Sequence, residues 1–202
     1  MLHVQELACR RGGRTIFHDA EFYLEAGDAL LVTGSNGSGK SSLLRVIAGL
    51  LPSSCGMVKW AGQDIVKDPE AYRRCMRYVG HLDAVKTGMT VAESLDYWGA
   101  LAGVRCDGAA SEDPFNIAAL RDKAGRFLSA GQKRRLTLAR LLIGEASLWL
   151  LDEPMTALDA EGQDILCACI ARHRARGGIA IVATHQEMAI PDARRFAMGG
   201  GA

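Results

Sequence analysis

Residues 34–41, GSNGSGKS, form the pattern GxxxxGK[ST], which is typical of loops that bind phosphate groups. The apolar run 29–33 precedes this loop and apolar residues at helical spacing follow it, so a strand and a helix should flank it. Glycines let the backbone N–H groups converge on a phosphate, and the helix N-terminus adds a partial positive charge. A glycine-rich turn that merely starts a helix is the alternative. Because every fixed position and both flanks match, we predict a phosphate-binding loop.

The last residues of this loop predict a nucleotide together with its metal ion. Lys40 would bind the β- and γ-phosphates of a nucleoside triphosphate, and Ser41 would place its hydroxyl on Mg²⁺. The predicted phosphate contacts come from the loop and the first turn of the helix, and they are Gly34, Ser35, Asn36, Gly37, Ser38, Gly39, Lys40, Ser41 and Ser42.

Two further apolar runs also end in polar residues. Asp152 and Glu153 follow the run 148–151, and His185 follows the run 179–184. Ligands of open parallel sheets lie beyond the carboxyl ends of the strands, so these residues should join the phosphate loop. Asp152 would hold Mg²⁺, Glu153 would orient and deprotonate the attacking water, and His185 would hydrogen-bond the γ-phosphate. Strand capping by an acidic pair, and chance for the Thr-His dipeptide, are the alternatives.

Hydrophobic periodicity predicts an α/β fold with a mixed, mainly parallel sheet core and N-terminal antiparallel strands. The antiparallel strands should lie within 2–28, and an edge hairpin within 57–63. The other predicted strands are 29–33, 78–80, 148–151, 179–184 and 194–198, and the predicted helices are 40–49, 69–77, 91–102, 115–123, a helix from Ser129 onward, and 160–176. Thr90 with Glu93 and Ser129 with Gln132 have the spacing of capping boxes, which indicates helix starts.

Composition narrows the class of protein. The 202 residues suggest one domain, and 49% hydrophobic content suits a sizeable core. A net charge of +1 argues against a nucleic-acid partner. No apolar run approaches the roughly 18–20 residues of a membrane span, and the N-terminus does not resemble a signal peptide. We therefore expect a cytosolic chain whose six cysteines stay reduced and act as small apolar fillers.

Residues 85–127 are expected to form a small helical subdomain inserted between two strand-bearing halves of a single domain, 1–202. The segment from Gly103 to Pro114 is polar and rich in turn residues, which favours a loop inside this insertion.

Residues 128–132, LSAGQ, resemble the LSGGQ signature of ATP-binding cassette (ABC) ATPases, with Ala130 in place of one glycine. The resemblance covers essentially the whole chain, because the phosphate loop, 148–154, 157–159 and His185 follow in the family order. It implies a P-loop cassette that binds ATP with Mg²⁺ and pairs head to tail with a second copy. In that dimer, Ser129, Gly131 and Gln132 of one copy would face the ATP of the other. The helix that starts at Ser129 would suit an anion, although a plain N-cap describes the same residues.

Further segments of the sequence indicate which branch of the ABC family the chain resembles. One short cassette without a membrane span resembles the separate ATPase subunit of a transporter. Residues 33–40, 80–86, 128–135, 148–154 and 184–186 resemble the ATPases of cytochrome c biogenesis, the haem exporter subunits. This resemblance implies integral membrane permease subunits of the cytochrome c maturation system as partners, at the cytoplasmic face of the inner membrane. Export of a lipid or peptide, and a nucleotide-gated adaptor, are the alternatives.

Two positions depart from the cassette pattern. The glutamine that senses Mg²⁺ in the family falls at about His81, where a neutral imidazole would take over its hydrogen bond. A buried strand-end histidine is the alternative. No aromatic residue stands where the family stacks on adenine, and Arg11 is nearest by position, so its guanidinium would stack on the base.

Overall fold

The computed structural model describes residues 1–104 and 113–199. Most of the loop predicted between Gly103 and Pro114 lies outside these residues, as does Cys106. Contacts divide the chain into two compact units. The first unit comprises Met1–His81, Ser147–Pro154 and the chain from Ile170 onward, and the second comprises residues within Leu82–Ala146 and Met155–Cys169. The predicted subdomain, 85–127, lies in the sequence range of the second unit, and its separate character stays a prediction.

The described residues form nine strands and five α-helices. The strands are β1 (Leu2–Arg11), β2 (Arg14–Leu24), β3 (Ala29–Thr33), β4 (Cys55–Trp60), β5 (Gln63–Asp64), β6 (Met76–Val79), β7 (Leu148–Asp152), β8 (Ile179–Ala183) and β9 (Arg194–Ala197). The helices are α1 (Lys40–Ile47), α2 (Pro69–Cys75), α3 (Val91–Ala102), α4 (Ala130–Ala139) and α5 (Ala160–Ala175). None of the helices in the described ranges has the length and apolar character needed to cross a membrane.

The first unit contains two sheets. One is antiparallel with the strand order β2-β1-β4-β5, and the other has the order β6-β7-β8-β3-β9, in which every paired neighbour is parallel. Strands β3, β7 and β8 are almost wholly buried, as expected for parallel strands covered on both faces. Apolar side chains of α1 complete this core, among them Leu43, Leu44 and Ile47. The predicted mixed α/β fold is therefore confirmed, and β7, β8 and β3 end side by side.

Two helices of the second unit begin at the predicted capping boxes. Thr90 accepts the N–H of Glu93 at 3.1 Å, and the Glu93 carboxylate accepts the N–H of Thr90 at 2.8 Å. Ser129 and Gln132 exchange the same pair of hydrogen bonds at 3.2 and 3.0 Å. These bonds satisfy donors that a helix start otherwise leaves unpaired, which fixes where α3 and α4 begin.

The prediction of a helix at 115–123 was wrong. Only a 3₁₀ turn forms there, at Ala118–Leu120. The Asp113 carboxylate accepts the N–H groups of Ile117 and Ala118, and Asn116 adopts a left-handed φ of 54°. A left-handed residue does not fit the backbone of a right-handed helix, so Asn116 interrupts the regular pattern there.

The structure finds the five described cysteines as free thiols, of which Cys9 and Cys169 are buried. Burial raises the pKa of the Cys9 and Cys167 thiols, which keeps them protonated and unreactive. The expectation of apolar fillers fits Cys9 and Cys169, whereas Cys55 is exposed and does not fit it.

Candidate functional site

The predicted phosphate loop joins β3 to α1 and is closely packed. Gly34, Gly37 and Gly39 have positive φ angles of 147°, 84° and 99°. A Cβ atom on Gly34 would lie 2.7 Å from the Ser38 hydroxyl oxygen and 3.0 Å from the Met198 carbonyl oxygen, so a side chain here would force its neighbours to move. The Ser38 hydroxyl is buried and makes no hydrogen bond within the described residues. Buried hydroxyls are normally paired, so an oxygen-rich ligand fits this loop.

Lys40 carries the positive charge of the loop. Its side chain is only 7% exposed, and its ammonium donates hydrogen bonds to the carbonyls of Gly34 at 2.8 Å and Ser35 at 3.1 Å. The Glu153 carboxylate lies 4.0 Å from the same nitrogen. The ammonium is therefore held within the loop, near the carboxylate that ends β7.

Ser41 and Asp152 form the second contact of the site. The Ser41 hydroxyl donates to Oδ1 of Asp152 at 2.9 Å, and Asp152 is fully buried. Burial raises the pKa of Asp152, while the Ser41 hydrogen bond and the Arg45 charge lower it. Hydroxyl and carboxylate oxygens suit a small divalent cation. Within the part of the chain that the structure describes, no three His, Cys, Asp or Glu side chains group closely enough to hold a metal. Such a cation would therefore need phosphate oxygens as further ligands.

Glu153 and His185 are in direct contact. Nδ1 of His185 lies 2.8 Å from Oε2 of Glu153, and the His185 backbone N–H donates to the same oxygen at 3.4 Å. An ionised carboxylate only accepts, so Nδ1 carries the proton in this contact. Glu153 has a left-handed φ of 47° and its N–H bonds to the carbonyl of Ala183. Such strain is rare outside glycine and is typical of functional positions.

The second unit carries the N-terminus of α4 next to an open cavity. A Cβ atom on Gly131 would lie 3.1 Å from the carbonyl oxygen of Ala157, so the helix approaches this turn closely. Arg135 holds the turn through Asp159 at 2.7 and 2.9 Å and through Glu161 at 3.3 Å. The cavity has a volume of about 400 Å³, and its lining includes Phe115, Asn116, Ser129, Gln132, Arg135 and Asp159.

Comparison with known proteins identifies the family. A family model described as "ABC transporter" matches residues 17–156. Proteins named "Cytochrome c biogenesis ATP-binding export protein CcmA" match nearly the whole chain. The chain belongs to the ABC transporter family, in the CcmA group. The relative from Paramagnetospirillum magneticum is 48% identical over 199 residues, with 95% of this chain and 91% of the relative covered. The relative from Rhodospirillum rubrum is 48% identical over 197 residues, with 96% and 84% covered.

Solved structures share the fold of this ABC ATPase. A putative ABC transporter ATP-binding protein from Pyrococcus furiosus superposes with a TM-score of 0.84 at 23% identity, over 98% of this chain and 96% of that chain. A bacterial Atm1-family ABC exporter with ATP bound gives a TM-score of 0.85 at 24% identity, over 99% of this chain and 37% of that chain. As a member of this family, the chain is a nucleotide-binding ATPase.

Two positions depart from the cassette pattern, His81 and Arg11, and both side chains are exposed. His81 follows β6 by two residues and is exposed, so the alternative of a buried strand-end histidine was wrong. Its charge, when protonated, contributes to lowering the pKa of Asp152. Arg11 is exposed at the end of β1, directly opposite Arg14.

The structure adds two residues that the sequence did not indicate. A Cβ atom on Gly39 would lie 3.0 Å from Cγ2 of Ile16 and 3.2 Å from Cε of Met198. The register shift between the pairs Cys9–Phe17 and Arg10–Thr15 leaves Ile16 as the extra residue of a β-bulge. Bulges re-aim side chains, and here Ile16 meets the phosphate loop. No sequence signal marks a bulge, so this contact was missed.

Proposed function

We propose that this chain is the ATP-hydrolysing subunit of a transporter of cytochrome c biogenesis, dimerising around two Mg-ATP to drive integral membrane permease subunits. The observation that carries the proposal is the grouping of Lys40, Asp152 and Glu153 at the phosphate loop. The name of the relatives, a cytochrome c biogenesis export protein, supports the haem-linked assignment. The subunit would bind its permease partners at the cytoplasmic face of the inner membrane, and residues 85–127 would form its helical subdomain within one cassette domain.

The loop and α1 bind the triphosphate. The first backbone bond of α1 runs from the N–H of Leu43 to the carbonyl of Gly39. Helix geometry leaves the N–H groups of Lys40, Ser41 and Ser42 without intrahelical acceptors, so they can donate to phosphate oxygens. Lys40 binds the β- and γ-phosphates from within the loop. Ser41 and Asp152 would hold Mg²⁺, and the bound ion supplies neutralisation of the phosphate charge.

Hydrolysis needs a base and an orienting group. Glu153 accepts a proton from the attacking water as the water oxygen attacks the γ-phosphorus and the bond to the leaving diphosphate breaks. His185 holds the Glu153 carboxylate through Nδ1, and in its imidazolium form it also carries a proton on Nε2 that can be donated to a γ-phosphate oxygen. The left-handed backbone of Glu153 points to a fixed position for this carboxylate.

The remaining site residues would contact the ATP bound to a second copy, the Mg²⁺ ion or the adenine. Ser129, Gly131 and Gln132 at the start of α4 contact the γ-phosphate of ATP bound to the other copy. The N-terminal donors and dipole of α4 support this role. His81 takes the position of the Mg²⁺-sensing glutamine, and its exposure leaves it accessible. Arg11 stacks on the adenine with its guanidinium.

The test is haem staining of c-type cytochromes in cells that lack this gene. Wild type, Lys40→Ala and Lys67→Ala are supplied for complementation, and Lys67 is an exposed lysine outside the site. We expect holo-cytochromes to be absent without the gene and restored by wild type and Lys67→Ala, but not by Lys40→Ala. If holo-cytochromes persist without the gene, the haem-linked assignment is wrong and another cargo must be sought.

A further inference from the structure

Two adjacent arginines of α4 reach different partners in the second unit. Arg134 is 2% exposed, and its guanidinium lies 3.3 Å from the carboxylate of Asp83. Arg135 instead binds Asp159 and Glu161. Neighbouring residues on a helix point about 100° apart, so α4 is held by ion pairs on two sides.

Asp83 precedes a segment whose backbone is held by hydrogen bonds to 125–126. Arg126 donates its N–H to the carbonyl of Thr87 at 3.1 Å, and Gly125 donates to that of Met89 at 2.8 Å. A Cβ atom on Gly125 would lie 2.5 Å from the carbonyl oxygen of Lys86, so the chain packs tightly there. Asp83 is two residues beyond His81, and its own side chain is 26% exposed. Residues 86–89 are therefore fixed against 125–126, and Asp83 lies three residues before this part of the chain.

Arg134 is a charged residue in a buried position, and burying a charge is costly unless other groups compensate it. A guanidinium keeps its charge at any physiological pH, so it must be compensated wherever it is buried. Removing the Asp83 carboxylate takes away one of the groups that compensate this buried charge. Arg134 lies five residues beyond Ser129, so its ion pair with Asp83 holds α4 near its N-terminus.

We propose that Asp83 and Arg134 are positioning residues, which tie the segment 82–86 to α4 and so fix where Ser129 meets the nucleotide of a second copy. This inference rests on the proposed function, because it concerns the dimer that ATP induces. The proposed role of the pair involves no contact with nucleotide or metal. Its effect is on the presentation of the α4 N-terminus, while nucleotide binding at the phosphate loop is independent of it.

The experiment measures ATP-driven dimerisation of the full chain by sedimentation, in a Glu153→Gln background that retains ATP. Asp83→Asn removes the charge, Asp83→Glu keeps it, and Asp122→Asn is the matched control at an exposed aspartate of the same unit. We expect Asp83→Asn to weaken dimerisation by about tenfold or more, the scale of a lost buried partner. Asp83→Glu should recover most of it, and Asp122→Asn should match the parent. Binding of a fluorescent ATP analogue to the monomer should change less than about twofold in all three, within the effect of a surface substitution.

Three other outcomes are possible, and each contradicts either this inference or the proposed dimer. If the parent dimerises with ATP and Asp83→Asn does so equally well, only this inference is wrong. If Asp83→Asn loses nucleotide binding and thermal stability together with dimerisation, the pair has a general structural role and the inference is wrong. If the parent itself binds ATP but stays monomeric, the proposed dimer is wrong and this inference falls with it.

Discussion

His185 and Glu153 share a hydrogen bond of 2.8 Å between Nδ1 and Oε2, although 32 residues separate them in the chain. The contact forms because β7 and β8 are parallel neighbours, so that both strands deliver their following residues to one edge of the sheet. A histidine that holds a carboxylate through Nδ1 fixes both the direction of the carboxylate lone pairs and its own tautomer. This pair therefore has the geometry of a base and its orienting group.

Glu153→Gln should separate ATP binding from hydrolysis. The amide keeps the shape of the side chain but cannot accept a proton, so we expect turnover to fall at least about 100-fold, as for loss of a general base. Affinity for ATP should stay close to wild type, because the phosphate contacts come from the loop and α1. Steady-state phosphate release and equilibrium nucleotide binding check the two parts. Glu187→Gln, at an exposed glutamate near the same strand end, is the control. Near-normal turnover in Glu153→Gln would remove the residue from this role.

Asp152→Asn should abolish the dependence of nucleotide binding on Mg²⁺. The carboxylate that accepts the Ser41 hydroxyl would lose its charge, while the shape of the buried side chain is preserved. We expect wild type to bind ATP at least about tenfold more tightly in Mg²⁺ than in EDTA, as for a cation shared between phosphates and one carboxylate. Asp152→Asn should show little difference between the two conditions. Asp64→Asn should behave as wild type, and an unchanged Mg²⁺ effect in Asp152→Asn would argue against this metal position.

The edge of the sheet could be predicted from sequence because each site residue directly follows an apolar strand. Asp152, Glu153 and His185 required only the rule that parallel strands end at one edge, not the strand order itself. The capping boxes at Thr90 and Ser129 were equally readable, since both partners lie within one turn. Features of this kind can be predicted because the residues that form them lie close together in the sequence.

Contacts that depend on register or on distant segments could not be predicted. Ile16 reaches the phosphate loop through a bulge, and the shift of one residue in strand pairing leaves no mark in the pattern of apolar residues. Asp83 and Arg134 are 51 residues apart, and neither residue type signals the other. The helix expected at 115–123 does not form, because Asn116 adopts a left-handed φ inside that range.

Gly34→Ala should disable the phosphate loop more than Gly37→Ala does. Both glycines have positive φ, but a Cβ atom would collide with Ser38 and Met198 only at Gly34, whereas Gly37 has nothing within 4 Å. Both variants carry the backbone strain of a positive φ, so the difference in nucleotide affinity between them measures the effect of crowding alone. We expect nucleotide affinity to fall at least about tenfold further in Gly34→Ala, because forcing an extra atom into a packed site typically costs about 1–3 kcal/mol. Equal affinity of the two variants for an ATP analogue would show that the loop tolerates the added atom.

Ser129→Arg should block ATP-driven dimerisation without loss of ATP binding. The long side chain would replace the N-cap hydroxyl and fill the cavity beside α4, where the proposed second copy would bind. Sedimentation in ATP, in the Glu153→Gln background, should show a monomer for the variant and a dimer for the parent. Lys123→Glu, at an exposed position of the same unit, controls for a change of surface charge. A dimer of unchanged strength in Ser129→Arg would count against the shared site.

His173 should make the stability of the fold depend on pH in mildly acidic solution. Its ring stacks on Trp149 at 4.0 Å between centroids, and burial lowers its pKa, against which the contact with the Ile179 carbonyl acts weakly. The folded state therefore binds fewer protons than the unfolded state, whose histidine titrates near about 6.5. Stability from this group is present above that pH and is lost as the pH falls through it towards the lower folded-state pKa.

The measurement is the midpoint of thermal unfolding between about pH 8 and pH 5, the range that brackets histidine titration. Wild type should lose stability more steeply on acidification than His173→Gln, which lacks the titrating ring. The absolute stability of His173→Gln is expected to be lower throughout, because its side chain cannot stack on Trp149, so only the slopes are compared. His18→Gln, at an exposed histidine, should keep the wild-type slope. Parallel profiles for wild type and His173→Gln would mean that His173 is protonated equally in the folded and unfolded states.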